Sequence, residues 1–183
     1  APPPPPPPPR RRYGIGDKAA AALGAFLKDC PLKVNSLEVE HNSIHNRGMT
    51  TLMSATAGHT MLRILDVSAN EMKRSATVAL TDLFLQPTPV KLVELRMSAC
   101  KLGDMNMSIL AKGLKTSTTI RVLKLDRNNL SMCGNDLADL LDGNTAITDL
   151  DLSWNQLRNE EATAVAKSLV GNDCLTSLNL SWN

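Results

Sequence analysis

Apolar residues recur along this chain in a repeated block: leucine-like residues at its first, fourth and sixth positions, a polar residue at the ninth and another apolar one at the eleventh. The blocks are Val34, Leu37, Val39, Asn42, Ile44; Leu62, Leu65, Val67, Asn70, Met72; and Leu92, Leu95, Met97, Cys100, Leu102. They continue as Ile120, Leu123, Leu125, Asn128, Leu130; Ile147, Leu150, Leu152, Asn155, Leu157; and Leu175, Leu178, Leu180, Asn183. The ninth-position residues stand 28, 30, 28, 27 and 28 residues apart. Self-similarity at such a period specifies a stacked-repeat architecture.

Two periodicities alternate in each block. The Leu-x-Leu core alternates as a strand does, so its leucines share one face and the residues between them point the other way. Between blocks the period is helical: residues 158–172, RNEEATAVAKSLVGN, put Ala162, Val165, Ala166 and Leu169 on one face. Asn159 fits the N-cap, Glu160 and Glu161 the first turn, and Gly171 the C-terminal turn. The same helix recurs with Leu137, Leu140 and Leu141, and with Ile109, Leu110 and Leu114. Residues 14–30 read as the helical half of an earlier repeat, with Ile15 in its eleventh position. A strand-turn-helix unit buries its apolar face only by stacking on its neighbours, so the expected fold is an α/β solenoid with a parallel sheet on one side and helices on the other. The ninth-position amides are expected to satisfy backbone groups at the bend after each strand, with Cys100 a weaker substitute.

These blocks resemble the leucine-rich repeat family, and the helix-containing period with Asn or Cys at the ninth position is similar to its ribonuclease-inhibitor subclass. The resemblance covers residues 13–183 and implies a right-handed β-α superhelix, a horseshoe with its sheet on the concave face. It implies little about activity, because one fold hosts many functions. The leading expectation is a non-enzymatic scaffold that binds protein partners on its concave face. Two alternatives come from the resemblance alone: a structural component of a large assembly such as a ciliary or flagellar axoneme, and a GTPase activator of the leucine-rich repeat type.

The concave columns supply the candidate contacts. Third positions read Ser36, Ile64, Glu94, Val122, Asp149, Ser177; fifth positions Glu38, Asp66, Arg96, Lys124, Asp151, Asn179; seventh positions Glu40, Ser68, Ser98, Asp126, Ser153, Ser181. This face is acidic at one end, basic in the middle and acidic again, and Arg96 and Lys124 stand where nearby acids can neutralise them. Trp154 and Trp182 both hold the eighth position of adjacent repeats, with Arg127 in the matching place one repeat earlier, so a stacked Arg-Trp-Trp edge is expected. Either it contacts a partner, or the indoles cover the turn and help repeats pack. The candidate partner-binding set is therefore Glu38, Asp66, Glu94, Arg96, Lys124, Asp126, Arg127, Asp149, Asp151, Trp154, Asn179 and Trp182.

Composition narrows the alternatives. The formal charge is +2, but Arg10, Arg11 and Arg12 account for three of the 20 basic residues, which leaves 17 against 18 acids. A near-neutral array with one Tyr and two Phe offers neither the basic stripe nor the stacking platform of a nucleic-acid binder. No apolar run is long enough for a membrane span and no signal peptide is visible. Cys30 and Cys174 lie five repeats apart, roughly 24 Å at strand spacing, too far for a disulfide, and no C-x-x-C pair suggests zinc or redox chemistry. A reducing cytosol is the simplest compartment. His41 and His45 flank a bend and read as solvated; no nucleophile motif, metal site or cofactor site is expected. Pro2–Pro9 favour polyproline II and read either as a spacer or as a ligand for a proline-binding domain, since Pro6, Pro9 and Arg11 fit P-x-x-P-x-R. Residues 1–12 are thus a proline/arginine segment and 13–183 the array; because the last block writes its strand without its helix, the chain is expected to be a piece of a longer array.

Overall fold

The structure, a computed structural model, describes residues 14–29 and 34–183. The proline-arginine segment and Cys30 lie outside the described residues. Six three-residue strands, β1 (Ser36–Glu38), β2 (Ile64–Asp66), β3 (Glu94–Arg96), β4 (Val122–Lys124), β5 (Asp149–Asp151) and β6 (Ser177–Asn179), pair in parallel in chain order. The helices are α1 (Gly16–Asp29), α2 (Asn46–Ala55), α3 (Arg74–Leu85), α4 (Gly103–Thr116), α5 (Gly134–Gly143) and α6 (Glu160–Ser168), with a 3-10 turn, Thr56–Gly58, after α2. Each strand pairs only with its chain neighbours and each helix packs beside the next, the one-dimensional contact pattern of a solenoid.

The periodic residues form the core between the layers. Leu65, Leu95, Leu123 and Leu150 are fully buried from the strands, and Met49, Leu52, Leu80, Leu110, Leu114, Leu137 and Leu140 meet them from the helices. Burying one such side chain is worth about 1.5–3 kcal/mol. Two helix faces differ from expectation. Met107 is fully buried where Ile109 was expected, because Ile109 sits half-covered on the flank of α4. In α6, Val165 and Ser168 are buried while Ala166 is exposed.

The ninth-position amides do more than close their own bend: they staple each repeat to the one before. Asn128, fully buried, accepts the N–H groups of Cys100 (2.9 Å) and Leu102 (3.3 Å) at Oδ1 and donates from Nδ2 to the carbonyls of Met97 (2.6 Å), Leu125 (3.1 Å) and Asp126 (3.2 Å). Asn70 and Asn155 repeat this pattern. Ile15 donates to Asn42 Oδ1 at 3.4 Å, which puts it in the expected eleventh position. Cys100 keeps only the donor half of the role, its Sγ lying 3.3 Å from the Val67 carbonyl and 3.6 Å from that of Ser98.

A second ladder, at the helix-to-strand turn, is absent from the sequence reading. Asn144 donates to the carbonyls of Leu114 (2.8 Å) and Ser117 (2.9 Å), and Asn172 to that of Leu141 (2.8 Å). His59 occupies the matching place, buried, with Nε2 2.9 Å from the Leu27 carbonyl. A ring nitrogen facing a carbonyl must carry the proton, so Nε2–H is the tautomer.

Helix starts are tied across repeats by side chains instead of local caps. Asp104, in the first turn of α4, accepts the N–H groups of Ser131 (2.7 Å) and Met132 (3.0 Å) and the Ser131 hydroxyl (2.9 Å). Burial works against its ionisation, yet these donors hold its carboxyl below the usual range. Glu161 of α6 accepts the Gly134 N–H of α5. A Cβ at Gly134 would stand 2.5 Å from the Glu161 Cα, so only glycine permits that approach. Asn159 does hold the N-cap position of α6, but at φ 42° its side chain makes no cap bond, a departure from expectation.

Candidate interaction surface

Parallel pairing in matched register turns the repeat into columns. Glu38, Asp66, Arg96, Lys124, Asp151 and Asn179 follow one another strand by strand, as do Ser36, Ile64, Glu94, Val122, Asp149 and Ser177. Because residues at the third and fifth positions flank the buried leucine on the opposite face of the sheet, both columns stand side by side on the concave surface.

The cations in this field are already engaged. Arg96 Nε lies 2.7 Å from Glu94 Oε1 and its Nη1 3.6 Å from Asp66 Oδ2, while Lys124 Nζ lies 2.7 Å from Asp149 Oδ2. The hydrogen bond to Glu94 raises the Arg96 pKa above its ordinary value. Glu38, Glu40, Asp66, Glu94, Asp126, Asp149 and Asp151 thus face two neutralised cations, and the columns carry an excess of negative charge. Such exposed pairs add little stability, but an uncompensated acidic field orients a basic partner.

Two of the expected contact residues are floor rather than surface. Asp66 is 7% and Asp126 9% exposed. Asp66 accepts the Ser68 N–H at 2.9 Å, and Asp126 accepts the Ser98 hydroxyl and Arg127 Nη1, the latter at 3.1 Å. Short side chains at a closely spaced seventh position are drawn into such hydrogen bonds, which the charge pattern alone does not reveal. Asp151 is partly open. Burial opposes its ionisation, but the Ser153 hydroxyl and N–H, the Asn179 amide and Lys124 together keep its pKa below the ordinary value.

At the strand C-terminal ends the array has a rim built from the eighth positions: His41, Ala69, Ala99, Arg127, Trp154 and Trp182. All six adopt left-handed backbone, φ from 54° to 60°, a conformation that costs roughly 1–2 kcal/mol for a non-glycine residue. The bend is held open by N–H to carbonyl bonds to the next repeat, among them Trp154 to Ser181 at 2.8 Å and Arg127 to Ser153 at 3.1 Å. It turns each side chain out to solvent. The two indoles stack with centroids 4.8 Å apart at 18°, and the Arg127 guanidinium carbon lies 5.3 Å from the Trp154 ring centre, as their positions in successive repeats predict. Trp154, flanked on both sides, is still 48% exposed.

The remaining candidates are structural. His41 and His45 are exposed, and no group of three metal-ligating side chains exists among the described residues. Burial pushes the Cys100 thiol up to about 12 and that of Cys133 higher still, so neither is a nucleophile at neutral pH. No helix among the described residues is long and apolar enough to cross a membrane.

The comparisons with known proteins agree with this architecture. A leucine-rich repeat family model matches residues 143–166. The structure of leiomodin-1 actin-binding site 2 superposes with a TM-score of 0.52 at 17% identity, covering 87% of this chain and 78% of that one. An internalin from Listeria monocytogenes superposes with a TM-score of 0.54 at 18% identity, covering 89% of this chain; this chain spans 38% of that protein. Period, register, asparagine ladder and these likenesses together show that the chain has the leucine-rich repeat fold.

Proposed function

We propose that the array is a protein-binding scaffold whose partner presents a basic surface to the concave columns. One observation carries this reading: Arg96 and Lys124 are internally paired, so the field that remains for a partner is acidic, with Glu38, Glu40 and Asp151 free of a cation within 4 Å among the described residues. A rigid, curved sheet bearing such a field supplies the extended surface on which repeat proteins bind their partners. The likeness to leiomodin-1 actin-binding site 2 supports a protein-interaction role and makes a cytoskeletal partner the first to test.

The test is cross-linking mass spectrometry of the full chain in cell extract, followed by affinity measurement on the partner identified. Links concentrated at Lys124 support the reading, whereas links confined to the helix lysines Lys18, Lys112 and Lys167 overturn it. The Asp151→Asn and Glu38→Gln variants are expected to bind the partner roughly two- to tenfold more weakly, with an effect that shrinks as salt rises.

A further inference from the structure

Between α3 and β3 lies a turn that the concave columns do not use. Asn70 to Leu92 is 22 residues where Asn42 to Leu62 is 20, and the longer connection contains Gln86, Pro87, Thr88, Pro89, Val90 and Lys91. Elsewhere a hydroxyl at the end of a helix turns back onto it: Thr56 donates to the Met53 carbonyl (2.7 Å), Thr116 to that of Gly113 (2.8 Å) and Ser168 to that of Val165 (2.8 Å). Thr88 is exposed, and its hydroxyl has no hydrogen-bond partner among the described residues.

The prolines fix the shape of this turn. Each holds its own φ at about −65° and pushes the residue before it out of the helical region, so Gln86 to Pro89 favour extended backbone. Gln86 caps the C-terminal end of α3 at φ −69° and ψ 157°, as that restriction requires. The chain returns to the core at Val90, which is buried and donates its N–H to the Leu83 carbonyl at 3.1 Å. Pro89 and Lys91, on either side of Val90, are both exposed. Thr88 therefore opens the run Thr-Pro-Val-Lys, a hydroxyl with proline next and a cation three places on, and all three of these residues face solvent.

A protein kinase takes its acceptor as an extended segment, and one already held in that shape costs little to order. Proline has no N–H, so a kinase cleft that offers no acceptor at the following residue selects it over residues whose N–H would be left unpaired. A lysine three places on suits an acidic subsite. We propose that Thr88 is a phosphorylation site for a proline-directed protein kinase that reads a basic residue three positions after the acceptor. The Thr88 oxygen attacks the γ-phosphorus of ATP; the new O–P bond forms as the bond to the β,γ-bridging oxygen breaks, ADP leaves, and the hydroxyl proton passes to the kinase's catalytic carboxylate. The product phosphate stands beyond the C-terminal end of α3, where a helix disfavours negative charge, and Lys91 is the nearest cation in sequence. This site does not rest on the concave face binding a partner.

Of the chain's 11 prolines, only Pro89 follows a serine or threonine, so proline-directed transfer reads this site and no other. The full chain is incubated with a cyclin-dependent kinase and ATP labelled at the γ-phosphate, and the product is mapped by tandem mass spectrometry. The native chain is expected to take up about one phosphate, at Thr88. Thr88→Ser should keep the reaction, Pro89→Ala should slow it at least about tenfold and Lys91→Glu should slow it by a smaller factor, with circular dichroism showing each variant folded. No uptake by the native chain overturns the proposal; a peptide of residues 83–93 run beside it tells whether the sequence or the fold is at fault. Labelling that survives Thr88→Ala, or that is indifferent to Pro89→Ala, overturns it as well.

Discussion

Replacing Asn128 by alanine tests the ladder most directly. The side chain is fully buried and bonds five backbone groups. Two of its acceptors have other donors: the Leu125 carbonyl also accepts Asn155 Nδ2 at 3.0 Å, and the Asp126 carbonyl the Ala99 N–H at 2.9 Å. That leaves the Cys100 and Leu102 N–H groups and the Met97 carbonyl orphaned. A buried polar group left unpaired costs about 1–3 kcal/mol, so even at the low end Asn128→Ala loses about 3 kcal/mol. Asn128→Cys keeps a weak donor in the geometry that Cys100 uses toward Val67 and is expected to lose less. Urea unfolding followed by circular dichroism gives the totals, and amide hydrogen exchange at Cys100 and Leu102 locates the damage. A loss below about 1 kcal/mol with unchanged protection at those two amides would refute the argument, since no backbone group would then depend on Asn128.

Further outcomes follow from the same geometry. Cys100→Asn should stabilise the fold by about 1 kcal/mol in the same urea experiment, because Oδ1 would give the Asn70 N–H a stronger acceptor than the Cys100 sulfur. At neutral pH Cys174, partly exposed, is expected to react with iodoacetamide in the native protein, slowly because its hydrogen bond to Asp173 raises the thiol pKa, while Cys100 and Cys133 do not react. The Cys100 thiol titrates at about 12 when folded against an ordinary value of 9.0, so the unfolded chain releases its proton first. Stability from that site is complete below pH 9.0, falls as pH rises and is spent near 12; a Cys100→Ser variant should show a shallower decline in urea midpoint over that window. The stacked indoles should give an exciton couplet in far-ultraviolet circular dichroism. Either Trp154→Asn or Trp182→Asn should abolish it entirely while changing stability by no more than about 1.5 kcal/mol. Gly134→Ala should cost about 1–3 kcal/mol by thermal unfolding, because α6 must move away from α5.

The strand columns were legible because a period of two inside a near-constant repeat leaves one register, and Glu38 follows Asp66 and Arg96 as the spacing requires. The tryptophan stack was legible for the same reason: equal positions in neighbouring repeats become neighbours in space. What the spacing did not carry was hydrogen-bond detail. The burial of Asp66 and Asp126 depends on Ser68, Ser98 and Arg127 being close enough to engage them. The second ladder had a signal, Asn144 and Asn172 standing 28 residues apart with His59 in the equivalent place, but a histidine and two asparagines do not look alike until a shared carbonyl partner reveals the common task. The failed side-chain cap at Asn159 is a backbone matter, since a positive φ turns the amide away from the N–H groups it would satisfy.

The substitution at Cys100 also has a mechanical consequence. Every other junction between strand-bearing repeats has an asparagine whose amide oxygen grips the preceding turn; at the junction of the second and third repeats the Met72 N–H turns instead to the Cys100 carbonyl, at 3.0 Å. The longest step in the array, the 30 residues from Asn70 to Cys100, falls at the same junction. Across it the sheet face is braced by the Arg96–Asp66 pair and by the Ser98 N–H to Ser68 Oγ bond at 3.1 Å. Under tension along the solenoid axis the sheet edge at this seam, one side-chain tie short, is expected to open before the sheet edges of its neighbours, while the packed α3 and α4 keep the helix side closed. The Ser98–Ser68 bond, unlike the charged pair, is not screened by salt, so this edge is held at high ionic strength by the serine alone.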